Sequence, residues 1–249
     1  VDASRSVDER GSVNARAPIG SRGSIDACGA VAAHERESCM SSGIDLDYPF
    51  SGRWLVQNSP ADRIPSHGTH RFATSHAIDF VPVGEDSRTA PITFSGLVRP
   101  EPPERFPGFG RPILAPADGA VVAVHDAEPD HRAHRGLPSI GYALTQPRRV
   151  AAGWTALAGN HVFIERGGIV VALCHLQLGS AAVRTGQHVR AGELIGRCGN
   201  SGNSTEPHLH IQAIDGTHIE GANAVPMTFR GSLPRNREIV DVPLAHGVG

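Results

Sequence analysis

The chain has 249 residues and a formal net charge of −2, and its 23 basic residues are all arginine. A charge this close to zero argues against a protein built to neutralise nucleic-acid phosphates, and the lack of lysine excludes Schiff-base and phosphate-loop lysine chemistry. No apolar run approaches the ~18 residues of a membrane-spanning helix. With 29 Gly, 19 Pro and 5% aromatic residues, the composition points to a turn-rich β architecture, and 14 His direct attention to imidazole chemistry.

Residues 1–44 show no sustained period and are dominated by Gly, Ser, Arg and Ala, so they read as a disordered segment. GAVAA within it is too short for the apolar stretch of a secretory leader. The chain as given is therefore cytoplasmic, lacks a leader, or has another true start. From Asp45 to residue 235 short apolar runs alternate with turn residues, as in one domain. HAIDFVPV reads as a strand, residues 84–110 as a long Pro-rich surface loop, and RPILAPADGAVVAVHD as strand, turn and strand about Asp118-Gly119. Residues 126–152 are polar and irregular, with room for a short helix. NHVFIER, GIVVALCHL, QHVRAGELIGRCG and PHLHIQAI then follow as strands, with a hairpin at Gly167-Gly168. The texture after Arg230 is tail-like, and 236–249 is read as a C-terminal tail. The fold class expected is all-β, a mainly antiparallel sheet or sandwich with long irregular inserts. Of the four Cys, Cys28–Cys39 and Cys174–Cys198 bridges are both open, as are buried free thiols at 174 and 198.

Chemistry concentrates in three places. In P-H-L-H-I-Q, alternation along a strand sends His208 and His210 to one face and Leu209 and Ile211 to the other, into a core. The preceding CGNSGNSTEP loop is suited to bringing a strand end close to a ligand. His175 ends the apolar strand ALCHL, and Asp79 lies inside the apolar strand AIDF, where an acid is costly unless paired or metal-bound. Taken one at a time, each of these also fits a solvated or internally satisfied position. Together they offer imidazoles and a carboxylate to one divalent metal, a donor set that suits zinc.

GQHVRAGELIGRCGNSGNSTEPHLHIQ resembles the C-terminal core of the lysostaphin-type (LytM-type) zinc metalloendopeptidases. AIDFVP followed by GRPILAPADGAVVAV resembles that family's first metal motif and the strand pair after it, and the likeness runs over about residues 48–230. It implies an antiparallel core with an open groove, the duplicated hybrid motif. It also implies Zn²⁺ held by an upstream His, Asp79 and His210, with His175 and His208 as the two non-ligand His that act on the metal-bound water and the developing oxyanion. The common motif has His four residues before the Asp, and this chain has Ser75 there. His67 is the preferred substitute, in a Ser-His-Gly-Thr turn; His70 is the alternative, and His76 is out of phase with Asp79 on the strand. Asn160, in a G-N-x-V segment typical of the family, reads as structural. Gln212, where relatives often have Glu, lies outside the catalytic set.

The function implied is a zinc-dependent peptide-bond hydrolase acting on peptidoglycan stem peptides or cross-bridges, at an extracellular or cell-envelope location. The alternative is a non-catalytic binding or regulatory module on the same scaffold, kept open by Ser75. VRAGELIGR also resembles a lipoyl-type carrier, but such a domain needs a lysine. The inserts 84–110 and 126–152 are expected to wall the groove.

Overall fold

The computed structural model describes residues 43–91 and 94–243. Most of the N-terminal segment, its Cys28 and Cys39, and residues 244–249 lie outside the described residues.

Nine strands make the main sheet, all in antiparallel pairs. Across it run β13 (Ile239–Val242), β2 (Gly52–Gln57), β3 (Ile78–Pro82), β10 (Leu209–Ile214), β7 (Ile169–Leu176), β6 (Asn160–Arg166), β5 (Gly119–His125) and β8 (His188–Val189), with β11 (Ala224–Val225) on the end of β10. Two short pairs accompany it: β1 (Ile44–Leu46) with β12 (Met227–Phe229), parallel, and β4 (Pro112–Leu114) with β9 (Leu194–Arg197). Among the described residues the regular structure is thus mostly antiparallel sheet with few, short helices, as the turn-rich composition implies.

Period-2 alternation decides what each face carries. Ile78, Phe80, Val171, Leu173, Leu209 and Ile211 point into the main core, where they join Phe50, Trp54 and Phe229. The opposite face of β3, β7 and β10 carries Asp79, Ala172, Cys174, His210 and Gln212, partly covered by Phe72 and Trp154. Burial of the apolar face, about 1.5–3 kcal/mol per large side chain, pins the register. A slip of one residue would turn His210 into the core. The β6–β7 hairpin closes at Gly167-Gly168, both at positive φ, as the two-residue turn requires.

Three readings are corrected. The tail contains β13: Val240 and Val242 are buried and pair with Trp54 and Gly52 at the edge of the sheet, because IVDV alternates inward and outward. Strands β4 and β5 flank a bend but do not pair; β4 crosses to β9. Of the two alternatives open for Cys174 and Cys198, the structure has the buried free thiols. The first insert is not all loop, since it holds a helical turn at Phe94–Val98. The second carries helices Leu137–Leu144 and Gln146–Ala151.

Candidate metal centre

Strand register brings the first two donors together. Asp79 on β3 is the direct partner of His210 on β10, and its Oδ1 lies 2.9 Å from His210 Nδ1. His67 arrives from a loop rather than a strand. Ser66 N–H donates to Ser75 O and Ser66 Oγ–H to Ala77 O, which closes the intervening segment and returns His67 to the Asp79 strand. His67 Nε2 then stands 3.1 Å from Asp79 Oδ2. Donor atoms of His67, Asp79 and His210 all lie within 4.8 Å of one another. Tetrahedral zinc with bonds of about 2.0–2.1 Å places donors about 3.3 Å apart, close to the 2.9 and 3.1 Å from the Asp79 oxygens to His210 and His67.

The tautomers follow from the hydrogen bonds. Gln212 Nε2–H donates to Phe72 O at 2.9 Å, so Gln212 Oε1 must face His210, and His210 Nε2–H donates to it at 2.9 Å. That leaves the Nδ1 lone pair aimed at the Asp79 carboxylate. Likewise Ser66 Oγ, whose proton goes to Ala77 O, accepts from His67 Nδ1–H at 3.0 Å and leaves Nε2 free. Two imidazole lone pairs therefore face one carboxylate, an arrangement that needs a cation between them. In the protein without metal a proton on His210 serves. Burial opposes that charge, but the hydrogen bond and charge of Asp79 outweigh it and raise the His210 pKa. Burial also works against the Asp79 carboxylate, yet the imidazoles of His67, His210 and His208 gathered around it hold its pKa well below the usual range. Asn58 Nδ2–H adds a bond to Asp79 Oδ2 at 2.7 Å.

His175 reaches the site through a bulge. Leu176 pairs with Asn160 and Cys174 with His161, so His175 is an extra residue on β7, at φ 62. The bulge lets the consecutive residues Cys174 and His175 line the same groove. His175 Nδ1–H donates to Ser201 O at 2.9 Å, and burial pushes its pKa well below the ordinary value, so the ring is neutral. His208 Nδ1–H donates to Glu206 O at 2.8 Å, and its Nε2 lies 3.8 Å from Asp79 Oδ1. The two rings are 4.6 Å apart between centroids. Cys174 is no nucleophile, because burial drives its thiol pKa far up.

Asn160 braces this geometry. It bonds Glu128 and Leu176 O through its side chain, and its N–H donates to Ser201 Oγ. Gly159 and Gly202 let the two loops touch: both have positive φ, and a Cβ on Gly159 would sit 2.5 Å from the Ser201 carbonyl carbon.

The five residues His67, Asp79, His175, His208 and His210 line one groove of about 630 Å³. His70 is exposed, and neither it nor His76 lines the groove. Sequence analysis passed over Asn58 and set Gln212 outside the catalytic set. For Gln212 the signal was available, since position 212 shares the strand face of 208 and 210; for Asn58 there was none. The second insert forms one wall of the groove through Tyr142, Gln146 and Arg149, and the first insert does not line it.

Residues 141–221 match the family model described as Peptidase family M23. Over 88 residues the chain is 33% identical to the glycyl-glycine endopeptidase ALE-1 of Staphylococcus capitis, covering 35% of this chain and 24% of that protein. It is 34% identical over 89 residues to lysostaphin of Staphylococcus simulans, covering 35% and 18%. It is 42% identical over 78 residues to the peptidoglycan DD-endopeptidase ShyA of Vibrio cholerae, covering 31% and 18%. In each case the chain spans less than a quarter of the relative's length.

Proposed function

The chain carries a Peptidase family M23 domain homologous to the lysostaphin-type endopeptidases, and from that premise we propose that it is a zinc-dependent endopeptidase that cuts a peptide bond of peptidoglycan. One observation carries the reading: the lone pairs of His67 Nε2 and His210 Nδ1 converge on the Asp79 carboxylate and call for a cation. His67, Asp79 and His210 would hold the zinc. Bound there, zinc supplies Lewis acidity and a water whose pKa falls to about 7.

The remaining chemistry belongs to the chain. His175, kept neutral by burial, and His208 each present Nε2 to the groove, with Nδ1 tied to a backbone carbonyl. Such a nitrogen accepts a proton from the attacking water and, once protonated, donates to the developing oxyanion or the leaving amine. The tied Nδ1 atoms fix the ring planes, so little reorganisation is needed. The non-catalytic module expected as the alternative rests on Ser75; His67 beside Asp79 supplies the donor that Ser75 cannot. A substrate in the cell wall would place the protein outside the cytoplasm or in the envelope. Among the described residues no helix is long and apolar enough to cross a membrane.

The test is zinc content per chain of the full-length protein after dialysis against a weak chelator. About one zinc per chain in the wild type and a near-total loss in Asp79→Ala are expected. A folded wild type with no zinc would overturn the reading.

A further inference from the structure

The groove carries more positive charge than a site for uncharged peptides needs. Arg63 and Arg71 line it from the His67 side, and Arg149 lines it from the second insert. Against them stands Glu206, once Asp79 is committed to a cation. The whole chain has a formal net charge of −2, so this excess is local.

None of the three has a carboxylate partner among the described residues. Arg63 Nε–H donates to Ser66 O, and Arg71 lies over the Phe72 ring. Arg149 is the most fixed. Its guanidinium stacks 3.8 Å from the Tyr142 ring centroid. Its nitrogens donate to Asn203 Oδ1 at 2.6 Å, Thr145 Oγ1 at 2.7 Å and Tyr142 O at 2.8 Å. Every one of those acceptors is neutral, so the charge is held in place without being cancelled. A fixed, uncompensated guanidinium in a cleft attracts anions and meets little entropic cost in binding one.

We infer that the groove selects peptides carrying a free carboxylate close to the scissile bond, with Arg149 as the fixed anion-reading residue and Arg71 and Arg63 as further cations of the lining. This rests on the endopeptidase reading and narrows it: a carboxylate-bearing stem peptide is preferred over an uncharged glycine bridge. The second insert is then a specificity element through its charge as well as its shape.

The test uses zinc-loaded full-length protein and pairs of peptidoglycan-type peptides that differ only in a free or amidated side-chain carboxylate. Cleavage is followed by liquid chromatography, and binding of the same peptides by calorimetry. In the wild type the free acid is favoured about tenfold in kcat/KM, chiefly through KM, and the preference shrinks as salt is added. In Arg149→Gln the ratio of acid to amide falls to about twofold, and Arg149→Lys restores part of it. Equal kcat/KM for acid and amide in the wild type would overturn the inference. So would an Arg149→Gln variant that loses activity on both while keeping the ratio, which is what a purely structural role produces. If no peptide is cut but calorimetry still favours the acid, the charge selection stands and the endopeptidase reading falls.

Discussion

Replacing Gln212 with leucine isolates the part that one buried amide has in the metal centre. Gln212 is 1% exposed and makes two bonds of 2.9 Å, one accepting from His210 Nε2–H and one donating to Phe72 O. Leucine is close in volume but removes both partners. A buried imidazole N–H and a buried carbonyl are left unsatisfied, at about 1–3 kcal/mol each, so the metal-free protein should lose about 2–6 kcal/mol. The His210 ring also loses the group that fixes its tautomer, and zinc affinity should drop about 10–100-fold. Gln212→Glu is the informative companion. It keeps an acceptor for His210 and loses the donor to Phe72, so stability should fall while zinc affinity stays within a few-fold of wild type. The assay is competition for zinc against a chromophoric chelator, with denaturant melts of each variant without metal. A leucine variant that melts early yet holds zinc as tightly as the wild type would refute the argument, because Gln212 would then be packing alone.

Other expectations follow from the same geometry. Alanine at His67 should abolish stoichiometric zinc binding, whereas alanine at the exposed His70 or at His76 should leave it intact; metal content of the three purified variants decides this. The two inserts are joined by a partly buried ion pair, Arg135 Nη2 to Glu101 Oε2 at 2.6 Å, flanked by a β-bridge between Glu101 and Ala133. Arg135→Ala removes this short charge-assisted contact to Glu101, and should cost about 2 kcal/mol, read as a lower denaturant midpoint at unchanged slope. His161 is buried, and burial lowers its pKa, so the unfolded chain takes up the proton more readily than the folded one. Its contribution is therefore present above about pH 6.5 and lost as pH falls toward the folded value. His161→Gln should flatten the fall in denaturant midpoint between about pH 7 and about pH 5, and an unchanged slope would count against this account.

The parts of the fold that local pattern governs were legible. PHLHIQ placed His208 and His210 on one face because a strand leaves no other choice, and Gly167-Gly168 marked its hairpin because only a tight turn at positive φ uses such a pair. Long-range pairing was not legible. Nothing local says that β4 crosses to β9 rather than turning back on β5, or that IVDV at the C-terminal end closes the sheet against β2. Within the site, Asp79, His175, His208 and His210 stood out as polar residues in apolar strands. How His175 turns into the groove did not, since a bulge depends on the partner strand and leaves no mark on the bulged one. His67 could be weighed only against His70 and His76, because its approach to Asp79 depends on Ser66 bonds that close a loop. Gln212 was set aside although its place in the strand period put it beside the histidines, and its bond to Phe72 O shows what that position does.

The central claim is hydrolysis at the His67–Asp79–His210 centre, and the most direct measurement is mass spectrometry of peptides released from purified peptidoglycan by the zinc-loaded protein. Fragments in which one peptide bond has gained one water, giving a new amine and a new carboxylate, are expected. None are expected from Asp79→Ala prepared and folded in the same way. Intact peptides after incubation with a zinc-loaded wild type, or the same fragments from Asp79→Ala, would contradict that claim.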